Sequence, residues 1–327
     1  MRKILFSTVG LLALSLAACI GVPDPAPAAP ATPAVAETPA PAPAPAAAAG
    51  APNTQAVSRV VDLGQGVSML MGQGGNLGLS VGNDGALMID DQYATNAEAN
   101  LAKIEELAKG KPKYLVNTHW HGDHAGGNAV FQTAGTMVFA HTNVRKRLNG
   151  QLVTTGRAAQ ARPAPKAAWP VVTFDQGIDF HLNGQTIRAF KVPAAHTDGD
   201  VMVYFLEADV LHTGDVYVKN MYPFIDTGSG GTLRGYIEAQ RIALNLVGPN
   251  TKIIPGHGEL AKKTDLEAEL AMIEGAAAAV DAHVKAGETL QQTLAAKPLS
   301  QWTVKFGGGF MNEDAFVTAI YGELTKK

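Results

Sequence analysis

The stretch Thr118-His119-Trp120-His121-Gly122-Asp123-His124-Ala125-Gly126-Gly127-Asn128 follows directly on the apolar run Tyr114-Leu115-Val116. It places three imidazoles and a carboxylate within the six positions from His119 to His124. In an extended chain His119 and His121 project to the same side, and a turn at Gly122 swings Asp123 and His124 back toward them. That geometry suits two adjacent cations. Imidazole nitrogen and carboxylate oxygen ligate zinc, and also iron or manganese, so the residue types specify a metal site without choosing the metal. A polar loop with scattered histidines would leave unexplained both the strand before the run and the glycine-rich turn after it.

Upstream, strand-like runs occupy Val57 to Leu63, Val67 to Met71, Leu77 to Val81 and Ala86 to Ile89. Turns punctuate them at Gly64-Gln65-Gly66, at Gly72-Gln73-Gly74-Gly75-Asn76 and at Asn83-Asp84-Gly85, the last a hairpin signal. The Gly72 to Asn76 turn is either a tight hairpin or a mobile flap over the site. Thr95-Asn96-Ala97-Glu98 has the form of a capping box, and Leu101, Ile104, Leu107 and Ala108 make one apolar face behind it. A helix is therefore expected from about Asn96 to Lys109, stopped at Gly110 and Pro112. Strand, helix, strand and metal loop make an α/β unit with its site at the carboxyl ends of strands.

Downstream, a strand is expected at Met137 to Ala140 and a short helix from about Asn143, with Arg145-Lys146-Arg147 as a solvated face. After the proline-rich Arg162-Pro163-Ala164-Pro165-Lys166, a second strand set begins: Val171 to Phe174, Ile178 to Leu182, Gln185 to Val192, Val201 to Leu206 and Val210 to Leu211. His181 reads as an exposed strand residue, and His212 as either near the metals or part of its strand. Leu233, Ile237, Leu244 and Val247 fit a helix ended by Gly248-Pro249. A second capping box at Thr264-Asp265-Leu266-Glu267 opens another, with His283 off its apolar stripe.

The chain has 327 residues, 46% of them hydrophobic, enough for a large core in one or two domains. A net charge of -3 without a Lys/Arg cluster gives no electrostatic reason to expect nucleic acid as a partner. Met1-Arg2-Lys3 and the apolar Ile4 to Ala18 read as a secretion signal, too short for a stable membrane span. Leu16-Ala17-Ala18-Cys19 resembles the lipobox of bacterial lipoproteins. That resemblance implies cleavage before Cys19, acylation of its thiol and, with Ile20 following, sorting to the outer membrane. Cys19 is the only cysteine, so there is no disulfide framework and no thiolate ligand. Residues 19–55, rich in Ala and Pro, read as a disordered tether, and residues 56–327 as the catalytic domain.

The run His119-x-His121-x-Asp123-His124 resembles the signature of the metallo-β-lactamase superfamily. Later markers follow in order: His196 in Pro193-Ala194-Ala195-His196-Thr197, Asp215 in Leu211-His212-Thr213-Gly214-Asp215, and His257 in Ile254-Pro255-Gly256-His257-Gly258. The resemblance spans about Val57 to Gly258 firmly and the C-terminal helices loosely. It implies an α/β fold, the four-layer αββα sandwich, and two divalent metal ions, zinc first with iron or manganese as alternatives. His119, His121 and His196 would hold one ion, Asp123, His124 and His257 the other, and Asp215 would bridge them. An acidic residue at Asp90 would support the metal loop from behind.

The same resemblance implies a hydrolase acting on a small molecule, in which hydroxide held between the cations attacks a carbonyl and Asp123 orients it. The reading favoured from sequence is a β-lactam or similar cyclic amide or ester. A thioesterase of the hydroxyacylglutathione hydrolase type, a lactonase, and an iron-dependent oxygenase on the same fold are the alternatives. The metallo-β-lactamases proper do not use an aspartate at the bridging position, so Asp215 counts against the first choice. Lys219, Asn220 and Tyr222, just after Asp215, are candidate substrate contacts: Lys219 for a carboxylate, Asn220 or Tyr222 for an oxyanion.

Overall fold

The alternating runs of the first half become strands in the computed structural model, which describes residues 56–156 and 162–326. The leader, Cys19 and the Ala/Pro tether lie outside the described residues. The strands β1 (Arg59–Gly64), β2 (Val67–Met71), β3 (Leu77–Gly82) and β4 (Gly85–Ile89) form an antiparallel meander. Helix α1 (Ala97–Ala108) then crosses over to β5 (Pro112–Val116), which lies parallel to β4. The metal stretch folds as two short helices, α2 (Gly122–Ala125) and α3 (Asn128–Thr133). Strand β6 (Met137–His141), helix α4 (Thr142–Leu148) and strand β7 (Val172–Phe174) complete a seven-stranded sheet in chain order.

The second sheet runs β8 (Gly177–Leu182), β9 (Gln185–Lys191), β10 (Val201–Phe205) and β11 (Val210–His212). Helix α5 (Leu233–Leu246) then returns the chain to β12 (Lys252–Ile254), parallel to β11, giving the order β12-β11-β10-β9-β8. Helices α6 (Lys263–Lys285), α7 (Leu290–Ala295), α8 (Ser300–Phe306) and α9 (Glu313–Leu324) follow.

Period-two alternation sorts the core into layers. Leu87 and Ile89 of β4 face the second sheet and pack in one buried cluster with Ile187, Val203 and Phe205. Ala86 and Met88 point the other way, onto Ile104 of α1 and Phe131 of α3. On the far side, Met202, Leu211 and Ile253 of the second sheet pack under Tyr236, Ile273 and Phe316. Helix, sheet, sheet, helix is thus the observed αββα order. Each fully buried Leu, Ile or Phe contributes about 1.5–3 kcal/mol relative to exposure, so three such clusters hold the layers together. No helix among the described residues is long and apolar enough to cross a membrane.

Four local expectations are corrected. Strand β7 belongs to the first sheet, pairing with β6, so the second sheet begins at Gly177. The first capping box does not form, because Thr95 lies inside a 3-10 turn, Ala94–Asn96, and the residue at the cap of α1 is Asn96, whose side chain donates to Gln73 O at 3.1 Å. Helix α1 ends at Ala108 with Lys109 in the left-handed conformation, one residue before Gly110. At α6 the Asp265 carboxylate reaches back to the backbone N–H of Lys262, at 3.1 Å, so the cap sits earlier than Thr264.

Candidate metal centre

Strand ends build the site. The chain leaves β4 through Asp90, whose φ of 59° turns its carboxylate beneath the next strand's exit loop. His119 follows β5, and Asp123 and His124 ride on α2. The loop before β10 carries His196, the turn after β11 carries Asp215, and the loop after β12 carries His257. All of these sit at carboxyl ends of strands or in the adjoining loops, where α/β sheets gather ligands.

The hydrogen bonds on the outer ring nitrogens fix which lone pairs point inward. His196 Nδ1–H donates to the carbonyl of Phe224 at 2.6 Å, and His121 Nε2–H donates to Asp226 Oδ2 at 2.9 Å. Both acceptors can only accept. The nitrogens left over, His196 Nε2 and His121 Nδ1, therefore face each other as lone pairs at 2.8 Å. His124 Nδ1–H donates to Asp90 Oδ2 at 2.7 Å, which aims Nε2 at Asp215 Oδ1, 3.0 Å away. The Thr118 hydroxyl donates to Asp90 at 2.7 Å and so accepts from His119 Nδ1–H at 3.1 Å. His119 Nε2 is then buried with no hydrogen-bond partner.

Three groups of potential ligand atoms result, each within 4.8 Å of one another: His119, His121 and His196; Asp123, His124 and His257; and His119, His124 and Asp215. Asp215 spans the first two, with Oδ2 3.6 Å from His196 Nε2 and Oδ1 3.5 Å from His257 Nε2. Asp123 Oδ2 lies 3.3 Å from His257 Nε2. Opposed lone pairs and an orphaned buried nitrogen are costly unless a cation lies among them. The donor set, all imidazole and carboxylate, fits divalent metal of the zinc, iron or manganese kind.

The electrostatics divide the site. Burial, reinforced by His124 and His196, holds His119 well below the usual imidazole range. Burial and neighbouring His121 bring His196 down to about 4. Burial opposes charge at His257 as well, but Asp215 and Asp123 outweigh it and raise the ring to about 9. Burial likewise opposes ionisation of Asp123, yet His124 and His257 bring it down to about 2. His124 is raised and Asp215 lowered by the same mutual attraction, again against burial.

Around this centre the packing corrects several expectations. The Gly72 to Asn76 turn is clamped: Gly75 N–H donates to Asp123 O at 2.9 Å and Asn76 N–H to Gly256 O at 2.7 Å. The Asn76 amide adds bonds of 2.9 Å to Pro255 O and Gly258 O. A Cβ on Gly75 would fall 2.1 Å from His124 Cε1, so this glycine is needed for ring clearance and the turn is a floor, not a flap. His212 is buried and holds that floor, its Nε2–H donating to Asn76 O at 3.0 Å while Nδ1 accepts from Gly214 N–H at 3.1 Å. His181 is exposed on β8.

The proposed substrate contacts fare differently from the ligands. Lys219 donates to Leu260 O at 2.8 Å and pairs with Asp265 at 3.1 Å, so its charge is already engaged. Asn220 is exposed and does not line the cavity over the ligands. Tyr222 borders the cavity but is fully buried, with its hydroxyl 3.0 Å from Thr303 Oγ1 and 3.3 Å from Leu299 O, directed into the C-terminal helices. A loop next to a ligand does not reveal which of its faces meets the ligand.

Two supports were not visible in sequence. Asp226 orients His121, and its other contacts cap the turn at Ser229. Arg147, expected on a solvated face, is buried and grips Asp198 bidentately at 2.9 and 2.7 Å, two residues beyond His196. A basic triplet on a helix gives no sign of which member turns inward.

Above the ligands lies a cavity of about 530 Å³. His121, Asp123, His196, Asp215 and His257 form its floor, and Tyr93, Met221, Phe224 and Phe310 are among its walls. A family profile described as the metallo-beta-lactamase superfamily matches residues 71–257. Among solved structures, a metallo-beta-lactamase from Pontibacter korlensis is similar at 21% identity and a TM-score of 0.55, over 66% of this chain and 98% of its own. The DIM-1 metallo-beta-lactamase is similar at 17% identity and a TM-score of 0.54, over 66% of this chain and 96% of its own. At these identities the likeness is one of fold.

Proposed function

Because the chain belongs to the metallo-beta-lactamase superfamily, we propose that it is a dinuclear metal-dependent hydrolase of a small carbonyl compound. The observation that carries this reading is Asp215 lying between two triads of inward-facing donors, each compact enough for one ion. His119, His121 and His196 would hold the first ion, Asp123, His124 and His257 the second, and Asp215 both. A pair of divalent cations supplies Lewis acidity toward a carbonyl oxygen and acidifies water held between them. With imidazole and carboxylate donors and no thiolate, zinc is the first choice and iron or manganese the next.

The chain's own contribution is orientation and proton handling. Asp90 and Asp226 lock the rings of His124 and His121 from outside. Asp123 borders the cavity with a lowered carboxyl pKa, so at neutral pH it is a carboxylate that can accept a hydrogen bond from water and orient it. No Ser, Thr or Cys lines the cavity among the described residues, which disfavours a side-chain nucleophile. The sequence-based preference for a β-lactam rested on Lys219 as a carboxylate anchor and on a closing Gly72 to Asn76 flap. Both are engaged in protein contacts, so esters, lactones and thioesters move ahead of it.

The test is elemental analysis of gently purified protein together with hydrolysis assays. Close to two equivalents of zinc, iron or manganese are expected, and a value below one after supplementation would falsify the dinuclear reading. His119→Ala and Asp123→Ala should abolish turnover while the circular dichroism stays near wild type. Oxygen consumption by an iron-loaded sample, without hydrolysis, would transfer the assignment to an oxygenase.

A further inference from the structure

The walls of the cavity come from three distant parts of the chain: Tyr93, the loop after Asp215, and Phe310. Phe224 stacks on the His121 ring at 6.2 Å between centroids and meets His196 edge-on at 5.8 Å, so it covers the first ligand triad. Phe310, from the loop between α8 and α9, meets Phe224 edge-on at 5.6 Å. Phe310 is 63% exposed although it is large and apolar, and the surface it shows is part of the cavity wall.

The loop that presents Phe310 is braced from below. Tyr222 N–H donates to Phe306 O at 2.8 Å, and the Tyr222 ring stacks on Phe316 of α9 at 5.0 Å. Thr303 of α8 donates to Glu313 Oε2 of α9 at 2.7 Å, tying the two helices together beneath the loop. Gly309 lies so close to Met221 that a Cβ there would stand 2.7 Å from Met221 Cγ. Tyr222, set aside above as a substrate contact, is the pin that joins the post-Asp215 loop to these helices. Phe310 and its helices lie outside residues 71–257, the part of the chain matched by the family profile.

The charge of the cavity is equally selective. Its ionisable lining is Asp123, Asp215, three histidines and the tyrosines Tyr93 and Tyr222, without Lys or Arg among the described residues, and Lys219 on the adjoining loop is held by Asp265. Away from the ligands, a substrate carboxylate would find no cationic side chain on the walls, which are Tyr93, Val218, Met221, Tyr222, Phe224 and Phe310. An apolar group between Phe224, Phe310 and Met221 would lose its water to aromatic and thioether surface. A volume of about 530 Å³ is enough for a drug-sized molecule.

We propose that the C-terminal helices set the substrate class through Phe310: an uncharged ester or lactone carrying an apolar acyl or aryl group, which packs between Phe310 and Phe224 while its carbonyl faces the ligand triads. The proposal rests on the hydrolase reading for its chemistry but on the aromatic walls for its specificity, and the test separates the two. The reaction is simple hydrolysis: water adds to the carbonyl carbon, the acyl–oxygen bond breaks, and the alcohol leaves with the proton.

Full-length metal-loaded protein is assayed on 4-nitrophenyl acetate, butyrate and octanoate and on an anionic chromogenic cephalosporin. Binding of 2-octanone, neutral and not hydrolysable, is measured by calorimetry on metal-loaded and metal-free protein. Wild type, Phe310→Ala and Phe310→Leu are compared. The expected result is kcat/KM rising roughly tenfold or more from acetate to octanoate, as burial of several methylenes allows. Phe310→Ala should weaken 2-octanone binding and flatten the chain-length dependence about fivefold, with Phe310→Leu in between. Chain-length independence, ketone binding indifferent to Phe310→Ala, or faster turnover of the cephalosporin than of every ester would each overturn the proposal. Ketone binding that responds to Phe310 in a protein hydrolysing none of the panel would uphold the apolar subsite and count against the hydrolase reading alone.

Discussion

His121 Nε2–H donates to Asp226 Oδ2 at 2.9 Å across 105 positions of sequence, and this bond decides that His121 offers Nδ1 to the site while its neighbours offer Nε2. Removing the acceptor lets the ring turn. Asp226→Ala should lower metal affinity roughly 10–100-fold, read by competition with a chromophoric chelator. Unchanged affinity would mean that some other contact sets the ring.

The divided electrostatics predict two kinds of metal uptake. His119 and His196 are held below their usual range and need shed no proton at neutral pH, whereas His257, raised to about 9, must lose one to become a ligand. Binding at the Asp123, His124 and His257 triad should therefore tighten as pH rises from 6.5 through 9, with proton release, since His124 is raised as well. Calorimetry in buffers of different ionisation heat measures this, and equal proton release for both equivalents would contradict it.

The same shifts bear on the metal-free fold. A raised His257 contributes stability that is full below its ordinary 6.5 and lost as pH rises through about 9. A lowered Asp123 contributes stability present above its ordinary 3.8 and lost as pH falls through about 2. His119 and His196, held low, lose stability as pH falls below 6.5, so thermal melts of chelator-treated protein should peak near pH 6.5. A melting temperature that climbs steadily from pH 6.5 to 9 contradicts this.

Gly75→Ala should be far more damaging than its size suggests. The new methyl would sit 2.1 Å from His124 Cε1, and the ring must leave its bond with Asp90. Metal affinity should fall by about 100-fold. Gly110→Ala, where a Cβ meets nothing within 4 Å, is the control and should behave as wild type.

Arg147→Ala should destabilise the fold by about 2–3 kcal/mol, less than the usual 3–5 for a fully buried pair because Asp198 is 24% exposed. Denaturant unfolding would register it as a lower midpoint with an unchanged slope. A change below about 0.5 kcal/mol would place Arg147 among ordinary surface residues.

Legibility tracked distance along the chain. His119, His121, Asp123 and His124 could be read because they lie within six positions and their periodicity is local. His196, Asp215 and His257 gained meaning only as an ordered set, since each alone is a polar residue in a loop. Asp226 and Arg147 act on partners 105 and 51 residues away, and nothing local marks them. Lys219 and Tyr222 were visible, but sequence proximity to Asp215 does not say which atoms meet the cavity: Tyr222 borders it while its hydroxyl turns into the C-terminal helices, and Lys219 is held by Asp265. The edge strand Lys252–Ile254 is too short to carry a period, and its pairing with β11 depends on the α5 crossover.

Topology also sets a time order. Every pairing in the first sheet joins strands that follow one another in the chain, so the framework carrying Asp90, His119, His121, Asp123 and His124 can close early. The other half waits for β12, which arrives only after α5 and brings His257 behind it. A chain emerging N-terminus first thus displays half a centre before its counterpart exists. Assembly of the two triads around Asp215 needs residues as far along as His257, so a loaded site is a signature that the chain has folded at least through β12.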